Sequence, residues 1–186
     1  MMRFDYQSEE NYNEFLRLLH DIDYYDVRYD EISGGVSAVH CKHKYSKQKG
    51  LFGLRQGDYE LNVLEILRKQ GHRVILGSES NTPGVKSFDG FIDDIPMEIK
   101  AIEGCGIWSI STKLRSADKQ HAQCVVLYFP DETLYSLDRI KEGLRLFHTG
   151  LDRNQVVGIK KLLTVVKDRL ELEWDKKATP IEGWLI

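Results

Sequence analysis

The sequence predicts an α/β (α+β) domain in which a mixed β-sheet is flanked by helices. A strongly amphipathic stretch, GDYELNVLEILRKQGH, is followed by three short strand-like runs, then a second helical stretch, then the apolar run QCVVLYF. Helices and strands interleaved in this way bury their apolar faces as layers on a mixed sheet. The length of 186 residues suits one compact core and is too short for two ordinary domains. One domain over 1–186 is therefore expected, with a helical and loop extension at 1–56, a core at 57–129 and accessory elements at 130–186.

In chain order, residues 9–20 suggest a short amphipathic helix with Phe15, Leu18 and Leu19 on one side. The Gly34-Gly35 pair breaks the chain, and Val36 and Ala38 begin a short strand. In the clear helix, Asp58 is the expected N-cap, Leu61, Leu64, Ile66 and Leu67 form the apolar stripe, and Gly71 stops it. RVILGSE reads as a buried strand, NTPG as a turn, KSFDGFID as a second strand and PMEIKAI as a third. Asp93-Asp94 between the last two suits a tight hairpin. Residues 111–120 read as a helix, as do LYSLDRIKEGLRLFH and NQVVGIKK, and LLTVV with RLELEW forms a hairpin turning at Lys167-Asp168.

The net charge of −3 argues against a chain that coats nucleic acid non-specifically. It leaves room for a carboxylate-rich site that meets phosphate through a cation. Cys41, Cys105 and Cys124 are odd in number and widely spaced, so no disulfide framework is expected, and Cys124 should be a buried thiol. The first residues lack the apolar run of a signal peptide and no later segment is long enough to span a membrane, so a cytoplasmic protein is expected.

Chemistry concentrates in SFDGFIDDIPMEIK. Side chains alternate along a strand, so Glu98 and Lys100 share one face while Met97 and Ile99 take the other. A hairpin brings Asp89 beside them. Two carboxylates can hold a divalent cation, Mg²⁺ or Mn²⁺, with the Ile99 carbonyl as a further ligand, and a lysine can orient water or stabilise developing charge. Glu60, in the first turn of the helix and in phase with Leu64 and Leu67, should face the sheet. The loop HCKHKYSKQKG supplies Lys42, Lys44, Lys47 and Lys49, a basic surface for phosphate, to which Lys113 and Arg115 add. Spacing argues against zinc on His40, Cys41 and His43. Trp108, Trp174 and Trp184 are expected to pack, as is a structural or solvent-facing role for His72 and His121.

An aspartate followed by Glu-x-Lys on the next strand resembles the motif of the PD-(D/E)XK nuclease superfamily, with Phe88 where that motif has proline. Over residues 57–129 the order also resembles the tRNA-cleaving CdiA C-terminal toxin domains, through GDYE, GHRVILGSE, FDGFID, MEIK, KQHAQ and CVVLYF. The resemblance implies a PD-(D/E)XK sheet, a metal-dependent endonuclease, and RNA, tRNA in particular, favoured over DNA. It implies Asp89, Glu98, Lys100, Glu60 and Gln120 as catalytic residues, with Asp89, Glu98, Ile99 and Glu60 at the metal, and an immunity protein as a candidate partner. Two other readings stand beside it. One is a metal-independent RNase of barnase or colicin type using His40, His43 and Lys113. The other is a nucleic-acid or protein-binding module without turnover.

Overall fold

The computed structural model describes residues 6–45, 49–53, 55–78, 88–149 and 158–175. In order these form α1 (Tyr6–Leu19), β1 (Tyr24–Tyr29), β2 (Val36–His40), α2 (Gln56–Lys69), β3 (Arg73–Leu76), β4 (Gly90–Ile92) and β5 (Ile95–Ala101). Then come α3 (Ser109–Lys119), β6 (Cys124–Phe129), a 3-10 turn at Glu132–Leu134, α4 (Leu137–Thr149), β7 (Lys161–Val166) and β8 (Arg169–Asp175). All eight strands join one mixed sheet in sequence order. The pairs β2–β3, β5–β6 and β6–β7 are parallel and the others antiparallel. Parallel neighbours need a crossover, and α2, α3 and α4 supply the three.

Strand alternation divides the core. On one face α2 buries Val63, Leu64 and Leu67 against Met97, Ile99 and Val126. On the other, α3 and α4 bury Ile110, Leu114, Ile140 and Phe147 against Val125, Leu127 and Phe129. Each such aliphatic side chain contributes about 1.5–3 kcal/mol on burial. At the sheet's first edge Leu18 of α1 packs with Val36 and Ala38.

Several expectations change. The stretch 1–56 is no mere extension: it supplies α1 and two strands of the sheet, and the buried Asn11 amide donates to the carbonyls of Gly34 (3.0 Å) and Gly71 (3.1 Å). β1 was not foreseen, because a bulge between Tyr25 and Arg28, with Asp26 at φ 51°, breaks its alternation. Leu19 and Leu61 are exposed rather than part of the apolar stripes. Arg55, not Asp58, is the N-cap of α2; Asp58 sits three residues on, where its carboxylate accepts the Arg55 N–H at 2.9 Å. The anticipated helix at NQVVGIKK falls largely outside the described residues, and from residue 158 the chain is non-helical and leads into β7. Asp93 and Asp94, at φ 48° and 65°, make the expected β4–β5 turn, with both central residues left-handed. Among the described residues no helix is long and apolar enough to cross a membrane.

Candidate active site

The β4–β5 hairpin sets the geometry. Gly90 pairs with Met97, so Asp89 and Glu98 stand opposite each other at the open end of the hairpin. By alternation, Asp89, Phe91, Glu98 and Lys100 share the face that carries α3. Gly90 makes this possible: a Cβ there would lie 2.1 Å from the Ile75 carbonyl oxygen of β3.

The two acids interlock through the backbone. The Asp89 N–H donates to Glu98 Oε2 at 3.0 Å, and the Ile99 N–H donates to Asp89 Oδ2 at 2.7 Å. Along a strand, the N–H and C=O of one residue point to the same side, so the Ile99 carbonyl also faces the Asp89 side, past the end of β4. Glu98, only 2% exposed, receives the Lys100 ammonium and the Gln120 amide. Lys100 Nζ also donates to Gln120 Oε1 at 3.0 Å, and the Ser116 hydroxyl donates to that same oxygen at 3.3 Å. The expected Asp89, Glu98, Lys100 and Gln120 therefore form one connected set.

Its electrostatics are strained. Burial, then the Glu98 charge and that of Glu60, push the Asp89 carboxyl far above its ordinary range, against the pull of the Ile99 N–H and Lys100. Burial likewise raises Glu98, although Lys100, the Asp89 N–H and Gln120 oppose it. Two neighbouring carboxyls, one buried and one half-buried, resist double ionisation. A divalent cation would relieve both.

Glu60 faces the sheet as expected, but its immediate partner is His43, which the sequence left in a basic loop. His43 Nε2 meets Glu60 Oε2 at 2.8 Å, and Nδ1 meets the Gly77 carbonyl at 3.0 Å. A carbonyl can only accept, so Nδ1 carries a proton, and a second proton on Nε2 makes the ring an imidazolium. Burial opposes that charge, yet the Glu60 bond and charge, the Gly77 carbonyl and Asp89 outweigh it and raise the His43 pKa. The ring is 1% exposed and packs edge-on against Tyr45 at 4.9 Å. The only sequence signal for this pair was the histidine-rich run HCKH, because 17 residues separate the partners.

Asp89, Glu98 and Glu60 do not close into a single ligand cage. Among the described residues, the only three His, Cys, Asp or Glu donors with ligand atoms all within 4.8 Å of one another are Asp23, His40 and Cys41. That group replaces the His43 of the rejected zinc triplet with Asp23, and could hold a metal on the exposed β1–β2 rim. Glu60 reaches Asp89 by charge rather than by shared contact.

Lys42, Lys44 and Lys49 are exposed, while Lys47 lies outside the described residues, as do Trp184 and the Glu79 that ends the run RVILGSE. Lys113 shares an edge of α3 with Ser116 and Gln120 by helical spacing. Arg115 does not, because residues two apart on a helix point to nearly opposite sides. Its guanidinium instead donates to the Leu146 carbonyl of α4 at 3.0 Å. Trp174 is buried as expected, whereas Trp108 is 54% exposed. His72 is structural, bonded to Asp93 at 2.8 Å. A cavity of about 900 Å³ between α1 and β1, lined by Tyr12, Phe15 and Tyr29 among others, contains none of the carboxylates described above.

No family model, curated protein or solved structure matches the chain. The reading of this site rests on its own geometry.

Proposed function

We propose that the chain is a metal-dependent endonuclease of PD-(D/E)XK type that hydrolyses phosphodiester bonds, RNA being favoured over DNA. The observation that carries this reading is the Asp89–Glu98 pair, half-buried and buried, interlocked across the β4–β5 hairpin, with Lys100 on the same face and the Ile99 carbonyl at the same open edge. The order α2, β3, β4, β5, α3, β6 supports it, as does Gln120 reaching Lys100 from the end of α3.

The residues fit Mg²⁺ or Mn²⁺. Asp89, Glu98 and the Ile99 carbonyl are hard oxygen donors, and Mg²⁺ is commonly held by one or two carboxylates with its remaining positions filled by water and phosphate. When bound, the cation lowers the pKa of an attacking water and offsets charge on the phosphoryl oxygens. In hydrolysis the water oxygen bonds to phosphorus, one P–O ester bond breaks, and the leaving oxygen takes a proton. Lys100, held between Glu98 and Gln120, orients that water and stabilises charge building on the phosphate. Glu60, fixed by His43, adds negative potential beside Asp89 and would help hold the cation without a direct contact.

The metal-independent alternative gains little support. Both His43 nitrogens are committed and the ring is buried, and the Lys42 N–H donates to His40 Nδ1 at 3.0 Å. Arranged so, His43 positions Glu60 rather than exchanging protons with substrate.

The test is incubation of the purified chain with tRNA, single-stranded DNA and duplex DNA, each with Mg²⁺, Mn²⁺ or EDTA. Cleavage that requires the cation and vanishes in Glu98→Ala is expected. Cleavage that persists in EDTA would favour the histidine mechanism. No cleavage of any substrate would leave a binding module.

A further inference from the structure

We propose that the site is extended by a base-stacking rim centred on Phe52 and Trp108, which makes an unpaired nucleic-acid strand, rather than a duplex, the substrate; this rests on the nuclease reading. Two loops form the rim, residues 49–53 before α2 and residues 102–108 after β5. The Glu103 carboxylate clamps them together. It accepts the hydroxyl of the buried Tyr59 at 2.8 Å and the Leu51 N–H at 3.0 Å. The approach is so close that a Cβ on Gly50 would lie 1.8 Å from Glu103 Oε1. Arg139 fixes the second loop from α4 by donating to the Gly104 carbonyl at 2.9 Å.

This tightly held scaffold nonetheless leaves its apolar side chains in solvent. Phe52 is 42% and Trp108 54% exposed, and Leu51 and Ile107 beside them are more open still. Large exposed apolar side chains on two loops that one carboxylate joins mark a surface that something covers. The neighbouring chemistry says what. Lys49 precedes the patch in the same loop, and Lys113 lies on α3 between the patch and the site. Ser109, Lys113, Ser116 and Gln120 follow one another at spacings of four, three and four, and so form a single polar edge of α3. That edge leads from Trp108, the N-cap of α3, to Gln120, which touches Lys100.

Aromatic faces for bases beside lysines for phosphates are the combination that binds single strands without reading sequence. A duplex hides its base faces in the stack and could not use the two rings. The helix spans 11 residues, or about 16 Å. The bases on Phe52 and Trp108 therefore belong to nucleotides a few positions away from the phosphate at Glu98.

The test uses the full chain in EDTA, where no metal-dependent turnover occurs, and fluorescence anisotropy of a labelled RNA or DNA strand of about ten nucleotides. Trp108→Ala and Phe52→Ala should each weaken single-strand binding on the order of tenfold. Trp108→Phe should keep most of the affinity, and Ile32→Ala, at an exposed apolar position remote from the rim, should change nothing. Wild-type affinity in both alanine variants, equal binding of the matched duplex, or no binding of any strand would overturn the proposal. Absence of Mg²⁺-dependent cleavage with the Trp108 effect intact would sink the nuclease reading and leave the rim standing.

Discussion

Two aspartates four residues apart, at the two ends of the short strand β4, have opposite fates. Asp89 is pushed up by burial and by Glu98, against the pull of a backbone N–H and Lys100. Asp93 is also half-buried, yet its carboxyl is held below the ordinary range by His72, the Arg73 N–H and Lys161. His72 donates to it at 2.8 Å and the Arg73 N–H at 2.9 Å, while Lys161 stands 3.7 Å away and bonds Glu173 at 2.7 Å. At one end of β4 the acid meets His72, an N–H and Lys161; at the other, Asp89, Glu98 and Glu60 crowd their negative charges together. Surplus negative charge that the fold tolerates at only one end is where a cation has a task.

The largest expected effect comes from removing the strain. Asp89→Asn should lower metal-dependent cleavage by more than about a thousandfold, above the range for losing a single charge-stabilising donor. It should also alter stability. An acid whose folded pKa is raised stabilises the fold below its unfolded pKa, and that contribution is lost as pH rises through the folded value. Metal-free wild type should therefore lose stability from its ordinary value of 3.8 up to about 8. Urea titrations across that range should give a flatter profile for Asp89→Asn, and added Mg²⁺ should flatten the wild-type profile. An identical slope in the variant would contradict the strain.

At the paired end the effects should reverse. Lys161→Met strands Asp93 and Glu173, and should cost about 2–3 kcal/mol in urea unfolding, less than a fully buried pair because Glu173 is 42% exposed. Its kcat should stay at the wild-type level; a large fall in kcat would mean that the two ends are coupled. His43→Gln, which keeps one hydrogen bond but not the charge, should reduce kcat roughly tenfold, in the range of partners that orient a ligand from behind. The smallest effect concerns acid. Asp93 is depressed, so its contribution is present above its unfolded pKa and is lost as pH falls through the lower folded value. Asp93→Asn should therefore cost about 1 kcal/mol at neutral pH and nothing at the acid limit, as read from unfolding at a series of pH values.

Much of the site was legible because it is local. The Asp93-Asp94 turn fixes the hairpin register, and register fixes which residues face Asp89, so Glu98 and Lys100 followed from two-residue alternation alone. Glu60 followed from helix phase, and Gln120 from the resemblance alone. His43 did not, since nothing in a polar loop says which carboxylate it will meet. Trp108 was misjudged for a related reason: whether an aromatic packs depends on what the neighbouring elements leave uncovered. Arg115 was taken for a phosphate contact, although α4 arrives beside it and offers the Leu146 carbonyl.

By itself, the sequence determined the alternation of helices and strands, the hairpin, and the convergence of Asp89 with Glu98 and Lys100, all of which depend on spacings of a few residues. Only the tertiary structure decided that β1 and β2 extend the sheet, that His43 fixes Glu60, that Glu103 clamps two loops into an exposed rim, and that Asp89 is strained where Asp93 is satisfied. Those outcomes depend on burial and on partners distant in the chain, and a carboxylate's charge state is set by the groups packed around it rather than by its neighbours in sequence.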